Sequence, residues 1–321
     1  MDEQTVKNHC VAIIGCGHVG ATSAYSLLMN GTVKDLVLID KDSDKLLGEV
    51  MDLQHSVPLT HPVRVRAGNY EDAARAEIAV IAAGVSCKEN ETRLDLLDRN
   101  AETVREIVGE LVRHGFAGII LMITNPVDVL TQIAREESGF PASRVIGSGT
   151  VLDTARLRAM LSSELNIEGR SIHAYVIGEH GESEVATWCA ARIGGAPLVD
   201  FCRPDCPDFG KMLVAVKRSA PEIVRHKGYT SFAVGTCVNR ICEAILRDER
   251  TILPVSALTS GQYGIDGVYL SLPCVIGRAG VERIVELPLS EDEKHGLHES
   301  AEILRRTYAS MREKVAVAAA A

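Results

Sequence analysis

The sequence is poor in aromatic residues and has no long uncharged apolar stretch. Phe, Trp and Tyr make up 4% of the 321 residues, against 46% for the hydrophobic residues as a whole. The apolar content is therefore mainly Ala, Val, Ile and Leu, which suits parallel strands covered by helices on both faces. No uncharged apolar run reaches the roughly eighteen residues that a membrane span needs, and no targeting segment is visible. We expect a cytoplasmic α/β protein.

Basic residues and paired cysteines are scarce as well. The 34 Lys and Arg are outnumbered by 43 Asp and Glu, which gives a formal net charge of −9. Nucleic acids and anionic membranes bind clustered Lys and Arg, so we expect neither as a partner. The nine cysteines indicate no disulfide framework and fit a reducing compartment. Cys202 and Cys206 are the only close pair, and without a second Cys/His pair of matching spacing we expect a surface loop and no metal site.

A strand, a glycine turn and a helix open the chain. The apolar run 9–14 leads into Gly15-Cys16-Gly17-His18-Val19-Gly20, and a helical pattern follows at 21–29. In such a motif the first glycine makes the tight turn, the second lets a pyrophosphate approach the backbone, and the third lets the helix pack on the strand. The next strand pattern, 36–39, ends at Asp40. A carboxylate there binds ribose hydroxyls and favours NAD over NADP.

Strand and helix patterns alternate up to residue 147, so we expect a doubly wound parallel sheet. The alternation predicts an NAD-binding Rossmann domain over 1–147, followed by an α+β substrate domain over 148–321. The first domain has strand patterns at 63–67, 78–82 and 118–122 and helical patterns at 42–54, 94–114 and 127–137. The second has strand patterns at 172–177, 255–258 and 268–275 and helical patterns at 208–225, 229–246 and 292–314.

A histidine stands between two glycines and two carboxylates in Gly178-Glu179-His180-Gly181-Glu182. The pKa of imidazole is about 6.5, so its surroundings can set it to donate or accept a proton near neutral pH. Earlier in the chain, Asp153 and Arg156 project together from a helix that we expect Thr150 to cap. They form either an ion pair within the helix, or separate contacts of Asp153 with a histidine and of Arg156 with a substrate carboxylate.

Two loops at the carboxyl ends of strands carry further polar residues. Asn125, in Thr124-Asn125-Pro126, either forms a plain turn or brings its amide to a ligand at the sheet edge. After Gly84, a charged loop leads into a helix and carries Arg93. This loop is either a lid over a site or a solvated helix start.

Taken in order, these motifs resemble those of the L-lactate and malate dehydrogenase family over nearly the whole chain, and the lactate branch most closely. The motifs that carry the resemblance are IIGCGHVG, LVLID, ETRLDL, TNPVDVL, GSGTVLDTARLR, IGEHGES and KGYTSFAVG. The resemblance implies reversible, NADH-dependent reduction of pyruvate to L-lactate in glycolytic fermentation. It also implies a homotetramer of the bacterial type.

The resemblance also implies roles for individual residues. His180 matches the catalytic histidine, Asp153 its carboxylate partner, Arg156 the anchor of the substrate carboxylate and Arg93 the lid arginine that polarises the carbonyl. These roles agree with the chemistry, because hydride transfer builds negative charge on the ketone oxygen, and a fixed cation and a proton donor stabilise it. The residues expected to contact the cofactor are Gly15, Gly17, Val19, Gly20, Asp40, Gly84, Asn125, Ser148 and Val234.

Substrate choice is expected to depend on Asn125, Arg156 and two further positions. Thr230 matches a threonine typical of lactate dehydrogenases, whose bulk limits the pocket to a small side chain. Cys87 stands where lactate dehydrogenases usually carry Gln and malate dehydrogenases carry Arg. A thiol offers no bidentate partner for a second carboxylate, so we expect oxaloacetate to be a poor substrate. Cys87 is also shorter than Gln, which favours entry of longer 2-keto acids.

Regulation is suggested by Arg158 and His173. They match positions with which many bacterial members of the family bind fructose 1,6-bisphosphate between subunits. The alternative is that both are polar interface residues.

Other functions stay open at this point. Cys87 favours a broader L-2-hydroxyacid dehydrogenase for branched substrates such as 2-ketoisocaproate, and malate dehydrogenase is a further alternative. A dinucleotide-binding subunit without catalytic activity is also conceivable, but the intact set of His180, Asp153, Arg156 and Arg93 argues against it.

Overall fold

The computed structural model describes residues 9–85 and 93–320 of the chain. Their strands are β1 (Cys10–Ile14), β2 (Asp35–Ile39), β3 (Arg64–Ala67), β4 (Ile78–Ile81), β5 (Ile119–Met122), β6 (Val145–Gly147), β7 (Ile172–His173), β8 (Val176–Ile177), β9 (Val185–Ala186), β10 (Arg192–Ile193), β11 (Ala196–Pro197), β12 (Thr251–Ser260), β13 (Asp266–Gly277) and β14 (Gly280–Ile284). Their helices are α1 (His18–Met29), α2 (Ser43–Ser56), α3 (Tyr70–Ala73), α4 (Arg93–Arg113), α5 (Val127–Ser138), α6 (Val151–Leu165), α7 (Leu198–Cys202), α8 (Phe209–Lys227), α9 (Phe232–Leu246) and α10 (Glu291–Ala320).

A nine-stranded sheet of these residues forms the centre of the fold, in the order β14-β13-β12-β6-β5-β4-β1-β2-β3. The strands β6-β5-β4-β1-β2-β3 are parallel to their neighbours. Successive residues of β1 face opposite cores: Val11 and Ile13 pack with residues of α1, α2 and α9, whereas Ala12 and Ile14 pack with residues of α4, α5 and α10. Helices on both faces of a parallel sheet confirm the predicted doubly wound Rossmann architecture.

The later strands are arranged differently from the sequence-based expectation. The patterns at 255–258 and 268–275 belong to the longer strands β12 and β13, which with β14 extend the central sheet in antiparallel fashion. β12 pairs with β6, a three-residue strand too short to give a periodic signal. The predicted strand at 172–177 divides into β7 and β8 because the two parts pair with different partners, β10 and β9.

Two further observations concern cysteines and helix length. Cys202 and Cys206 form a disulfide at the end of α7, with Cα atoms 4.8 Å apart, a pairing that was not predicted from the sequence. None of the helices within 9–85 and 93–320 is long and apolar enough to cross a membrane.

Helices α1 and α9 approach closely at a glycine. A Cβ added to Gly235 of α9 would lie 2.9 Å from the carbonyl oxygen of Thr22 in α1. Nearby, the Thr32 hydroxyl donates a buried hydrogen bond of 2.6 Å to Oδ1 of Asn239. Because α1 follows the glycine turn and α9 carries Val234, this contact fixes two parts of the predicted cofactor site relative to each other.

We predict opposite effects for alanine at two helical glycines. Gly235→Ala forces α1 and α9 apart and lowers the free energy of unfolding by about 1–3 kcal/mol, the usual cost of overpacking. Gly48→Ala in α2, where an added Cβ meets no atom within 4 Å, raises it by about 0.5–1 kcal/mol because alanine favours the helix. Urea denaturation of both variants measures the difference, and equal stabilities would contradict the close packing at Gly235.

Candidate active site

The turn after β1 has the geometry of a phosphate-binding loop. Gly15 has φ = 97°, and a Cβ there would lie 2.4 Å from the backbone nitrogen of Ala83. A Cβ on Gly20 would lie 1.9 Å from the carbonyl oxygen of Gly15, whereas one on Gly17 meets no heavy atom within 4 Å. Packing therefore requires the first and third glycines, and the second borders open space that a dinucleotide phosphate fits.

Asp40 follows β2 beside this turn. Its Oδ2 accepts a hydrogen bond of 2.6 Å from the backbone N–H of Cys16, and its Oδ1 accepts one of 3.0 Å from that of Asp42. These bonds hold the carboxylate next to the phosphate loop. The predicted contact of Asp40 with the ribose hydroxyls of NAD stays a prediction.

The helix that begins at the glycine turn also contacts the segment between α8 and α9. The ring of His18 stacks on that of Tyr229, with centroids 3.8 Å apart. Thr230 follows Tyr229 in the chain and is half-buried. Val19 and Val234, also half-buried, pack against the same core as α1 and α9. The ring contact thus places Tyr229, which precedes Thr230, beside the glycine loop, and Val19 and Val234 pack against one common apolar cluster.

The loops after β4 and β5 are joined by Asn100 of α4. Its Oδ1 accepts a hydrogen bond from the backbone N–H of Val85, and its Nδ2 donates one to the carbonyl of Asn125, both 2.9 Å long. Gly84 packs so tightly that an added Cβ would lie 2.5 Å from Cγ2 of Thr124. Asn100 was not identified from the sequence because a buried Asn within a helical pattern gives no signal of its contacts.

Ser148 lies directly after β6, at the same edge of the sheet. Its backbone N–H donates a hydrogen bond of 2.9 Å to the carbonyl of Met122 at the end of β5, and its side chain is half-buried. Asn125 and Ser148 therefore follow neighbouring parallel strands, as expected for residues at the carboxyl edge of the sheet.

Two threonines of α6 fix this helix against β8. The hydroxyl of Thr150 donates a hydrogen bond of 2.5 Å to the carbonyl of Val176, and the hydroxyl oxygen of Thr154 accepts one of 2.9 Å from the Val176 N–H. Thr150 has the N-cap position, but its side chain makes no capping bond, so the predicted capping role was wrong. The hydroxyl of Thr150 is buried beside β8, where it supplies the hydrogen-bond donor that the buried carbonyl of Val176 requires.

The hydrogen bonds of Thr150 and Thr154 with Val176 position α6 so that Asp153 lies beside His180. Oδ2 of Asp153 lies 2.6 Å from Nδ1 of His180, and its Oδ1 accepts a hydrogen bond of 2.8 Å from Nη1 of Arg156. The Asp153 side chain is 3% exposed and that of His180 is 23% exposed. The intrahelical ion pair and the contact of Asp153 with a histidine therefore occur together. The contact of Arg156 with a substrate carboxylate stays a prediction.

The electrostatics of this trio favour a charged histidine. Burial opposes charge on the His180 ring, but the carboxylate of Asp153 raises the pKa of His180 to about 9. Burial would raise the pKa of Asp153, yet His180 and Arg156 lower it below its ordinary value. At neutral pH the pair is an imidazolium beside a carboxylate, and a proton is available for transfer.

The backbone of the His180 loop is held on two sides. The N–H of His180 donates a hydrogen bond of 2.9 Å to Oδ2 of the buried Asp128, and burial raises the pKa of Asp128 to about 6. The N–H of Glu179 donates a bond of 2.6 Å to Oγ of Ser300 in α10. Asp128 and Ser300 were not identified from the sequence, because they contact the backbone N–H groups of His180 and Glu179 from distant parts of the chain.

A cavity of about 560 Å³ contains His180, Asp153, Arg156 and Asn125 in its wall. Leu96 and Val129 contribute apolar surface, and so do residues of α8 and α10: Ala220, Pro221, Ile303 and Leu304. The wall therefore combines a proton donor, a guanidinium and several carboxyl groups with a larger apolar surface, which is typical of a site for a small molecule.

Some predicted site residues lie elsewhere or outside the described part of the chain. Cys87 lies outside the described residues. α4 begins at Arg93, whose side chain is likewise outside them. Thr230 lies near the glycine loop and is not among the cavity's wall residues. Their predicted roles stay predictions.

Arg158 and His173 lie on neighbouring elements. The Nε of Arg158 donates a hydrogen bond of 3.0 Å to the carbonyl of Ala174, and its guanidinium lies 5.0 Å from the ring centroid of Tyr175. His173, the residue before Ala174, is exposed. The structure thus places Arg158 against the strand segment that carries His173.

Comparisons with known proteins agree with this geometry. Residues 9–147 match the family model of the lactate/malate dehydrogenase NAD-binding domain, and residues 150–315 match that of the family's α/β C-terminal domain. An L-lactate dehydrogenase of Clostridium perfringens is 45% identical over 93% of this chain and 96% of its own length. One of Thermoanaerobacter pseudethanolicus is 46% identical over 92% and 96%.

Solved structures are similar over the same extent. A lactate dehydrogenase from a deep-sea metagenome library matches with a TM-score of 0.93 and 43% identity, covering 95% of this chain and 99% of its own. The ligand-bound minor L-lactate dehydrogenase of Enterococcus mundtii matches with a TM-score of 0.92 and 38% identity, covering 94% and 98%. The chain therefore belongs to the lactate/malate dehydrogenase family, whose N-terminal domain binds NAD.

Proposed function

We propose that this chain is an L-lactate dehydrogenase, which reduces pyruvate to L-lactate with NADH and catalyses the reverse reaction. The observation that carries the proposal is the carboxylate of Asp153, which contacts His180 through one oxygen and Arg156 through the other in the wall of one cavity. The names of the relatives described above support it. In this proposal residues 1–147 form most of the cofactor site, and residues 148–321 supply His180, Asp153 and Arg156 for the substrate. Arg93 and Asn125 of the first domain complete the substrate site.

The chemistry follows from what these residues can donate and accept. NADH, when bound, supplies a hydride to the carbonyl carbon. His180 keeps Nδ1 on Asp153 and donates the proton of Nε2 to the ketone oxygen, so pyruvate, one hydride and one proton give lactate. Arg156, whose Nη1 contacts Asp153, presents its other donors to the substrate carboxylate. Arg93 is proposed to polarise the carbonyl when the lid closes.

The cofactor contacts complete the proposal. Gly15, Gly17 and Gly20 form the turn for the pyrophosphate, and Asp40 binds the ribose. The other proposed contacts with NAD are Val19, Gly84, Asn125, Ser148 and Val234. Asn125 is also proposed to contact the substrate, because it borders the cavity that contains His180.

The cavity supports a second candidate. Its apolar wall, formed in part by Val129, Ile303 and Leu304, is more extensive than a methyl group requires. A broader L-2-hydroxyacid dehydrogenase that accepts branched substrates is therefore the alternative, and the short Cys87 in the lid favours it. Thr230 would limit substrate size in either enzyme.

Steady-state kinetics with three 2-keto acids distinguish these candidates. We predict that NADH is oxidised with pyruvate at a kcat/KM at least about tenfold above that with oxaloacetate, since a lost bond to a charged group is worth about 1.5–3 kcal/mol. The value for 2-ketoisocaproate should lie below that for pyruvate. A strong preference for 2-ketoisocaproate would select the second candidate, and equal use of NADPH would contradict the role of Asp40.

We also propose that the protein is a homotetramer that binds fructose 1,6-bisphosphate at Arg158 and His173. An arginine and an exposed histidine on adjoining elements can bind phosphate together when the histidine is charged. Two-fold symmetry would bring such pairs from neighbouring subunits together, which suits a ligand with two phosphates.

Activation is tested at about pH 6, where an exposed histidine is largely charged. We predict that fructose 1,6-bisphosphate lowers the pyruvate concentration for half-maximal rate, and that His173→Asn removes this effect without changing the rate at saturating pyruvate. An unchanged pyruvate saturation curve for the unmodified enzyme would leave Arg158 and His173 as polar interface residues.

A further inference from the structure

A buried carboxyl beside His180 has no role in the chemistry described so far. Glu184 is 3% exposed and lies in the wall of the cavity. One oxygen of Glu184, one oxygen of Asp153 and a ring nitrogen of His180 lie within 4.8 Å of one another. Oε1 of Glu184 has no hydrogen-bond partner among the described residues. A carboxyl group this close to Asp153 and His180 affects the pKa values of both.

At neutral pH this carboxyl is best accommodated as a neutral acid. An ionised carboxylate without a partner is costly in a buried place, and the negative charge of Asp153 adds to that cost. Burial and Asp153 raise the pKa of Glu184 to about 8, although His180, Lys217 and Arg156 act in the opposite direction. Lys217 uses its ammonium group on the carbonyl of Glu182, 2.7 Å away.

The charged groups around His180 come from several described elements. Asp128 of α5, Asp153 of α6 and Glu184 favour the protonated ring. The other charged residues in the cavity wall are Arg156 of α6, Lys217 of α8, and Glu179 and Glu182 of the His180 loop. On α9, Cys237 is neutral at these pH values because burial raises its pKa to about 12. The parts of α4 and α10 in the cavity wall that the structure describes contribute only the uncharged side chains Leu96, Leu97, Ile303, Leu304 and Thr307.

We propose that Glu184 is a positioning residue whose carboxyl, once ionised, places a negative charge within 4.8 Å of a ring nitrogen of His180 and so keeps the ring protonated to higher pH. Below the pH at which Glu184 ionises, its carboxyl is uncharged and does not weaken the attraction of Arg156 and His180 for an anionic substrate. Above that pH, the proton of Glu184 has gone to solvent through the cavity, and the new negative charge opposes loss of a proton from the His180 ring. The catalytic relevance rests on the proposed function, in which His180 is the proton donor.

The experiment follows the titration of His180 itself. NMR of the full-length protein with isotope-labelled histidine gives the midpoint of each ring, and His180→Asn identifies the His180 signal. We expect Glu184→Gln to lower the His180 midpoint by at least about half a pH unit, the size of a Coulomb interaction over about 5 Å even in water. Glu184→Asp, which keeps the carboxyl, should restore part of the shift.

Controls separate this effect from a general one. Glu71→Gln removes the same charge from an exposed site on α3 and should leave the His180 midpoint unchanged. Superimposable titrations of the unmodified protein and Glu184→Gln would overturn the proposal, as would an equal shift in Glu71→Gln. Should Glu184→Gln fail to fold, Glu184→Leu takes its place: a His180 midpoint that falls in Glu184→Leu and less so in Glu184→Asp supports the proposal, and a midpoint unchanged in Glu184→Leu overturns it.

Kinetics then connect the titration to the reaction. With pyruvate, the alkaline limb of the kcat/KM profile should move down in Glu184→Gln by the same interval as the His180 midpoint, while KM at pH 7 stays within about twofold. A lower kcat/KM at every pH with no movement of the limb would indicate a merely structural role. Absence of pyruvate reduction by the unmodified protein would contradict the proposed function instead, and the NMR titration would still decide the role of Glu184.

Discussion

The arrangement of the site depends on the carboxylate of Asp153. This group is buried, and a buried carboxylate is stable only when its charge is balanced and its oxygens are hydrogen-bonded. His180 and Arg156 meet that requirement from two directions, one to each oxygen. The same contacts orient the imidazole and keep it charged. The need to neutralise one buried charge therefore assembles the proton donor and the guanidinium in a single wall.

The fold positions Asp153 beside His180 through side-chain hydrogen bonds to backbone groups, in addition to the pairing of the sheet strands. Thr150 and Thr154 fix the start of α6 to Val176 of β8. From β8 the chain continues directly into the loop that carries His180. On the other side, Asp128 at the start of α5 binds the N–H of His180. The cofactor loop and the proton donor are thus held by elements that all begin or end at the carboxyl edge of the parallel strands, as expected for α/β enzymes.

Much of this could be predicted from local sequence, and the reason is physical. Gly20 is required by its contact with Gly15 within one strand-turn-helix unit, and Asp40 closes the adjacent strand, so spacing alone indicates their roles. The contact of Gly15 with Ala83, in the loop after β4, arises only in the folded chain. The pairing of Asp153 with His180 required the family resemblance, because 27 residues separate them in the chain. Asp128, Asn100 and Glu184 could not be found, since their importance arises only from burial and distant contacts. The disulfide of Cys202 and Cys206 was not predicted, because the number and spread of cysteines characterise the whole chain and do not decide the pairing within one loop.

Asp153 keeps His180 protonated and oriented for proton transfer. The variant Asp153→Asn isolates this role, because the amide keeps the shape of the side chain but removes its charge. We predict that the His180 titration midpoint falls from about 9 towards its ordinary value near 6.5, and that kcat/KM for 2-keto acid reduction falls by about 10²–10⁴ while NADH binding is retained. A His180 midpoint that stays near 9 in Asp153→Asn, with activity undiminished, would show that Asp153 does not have this role.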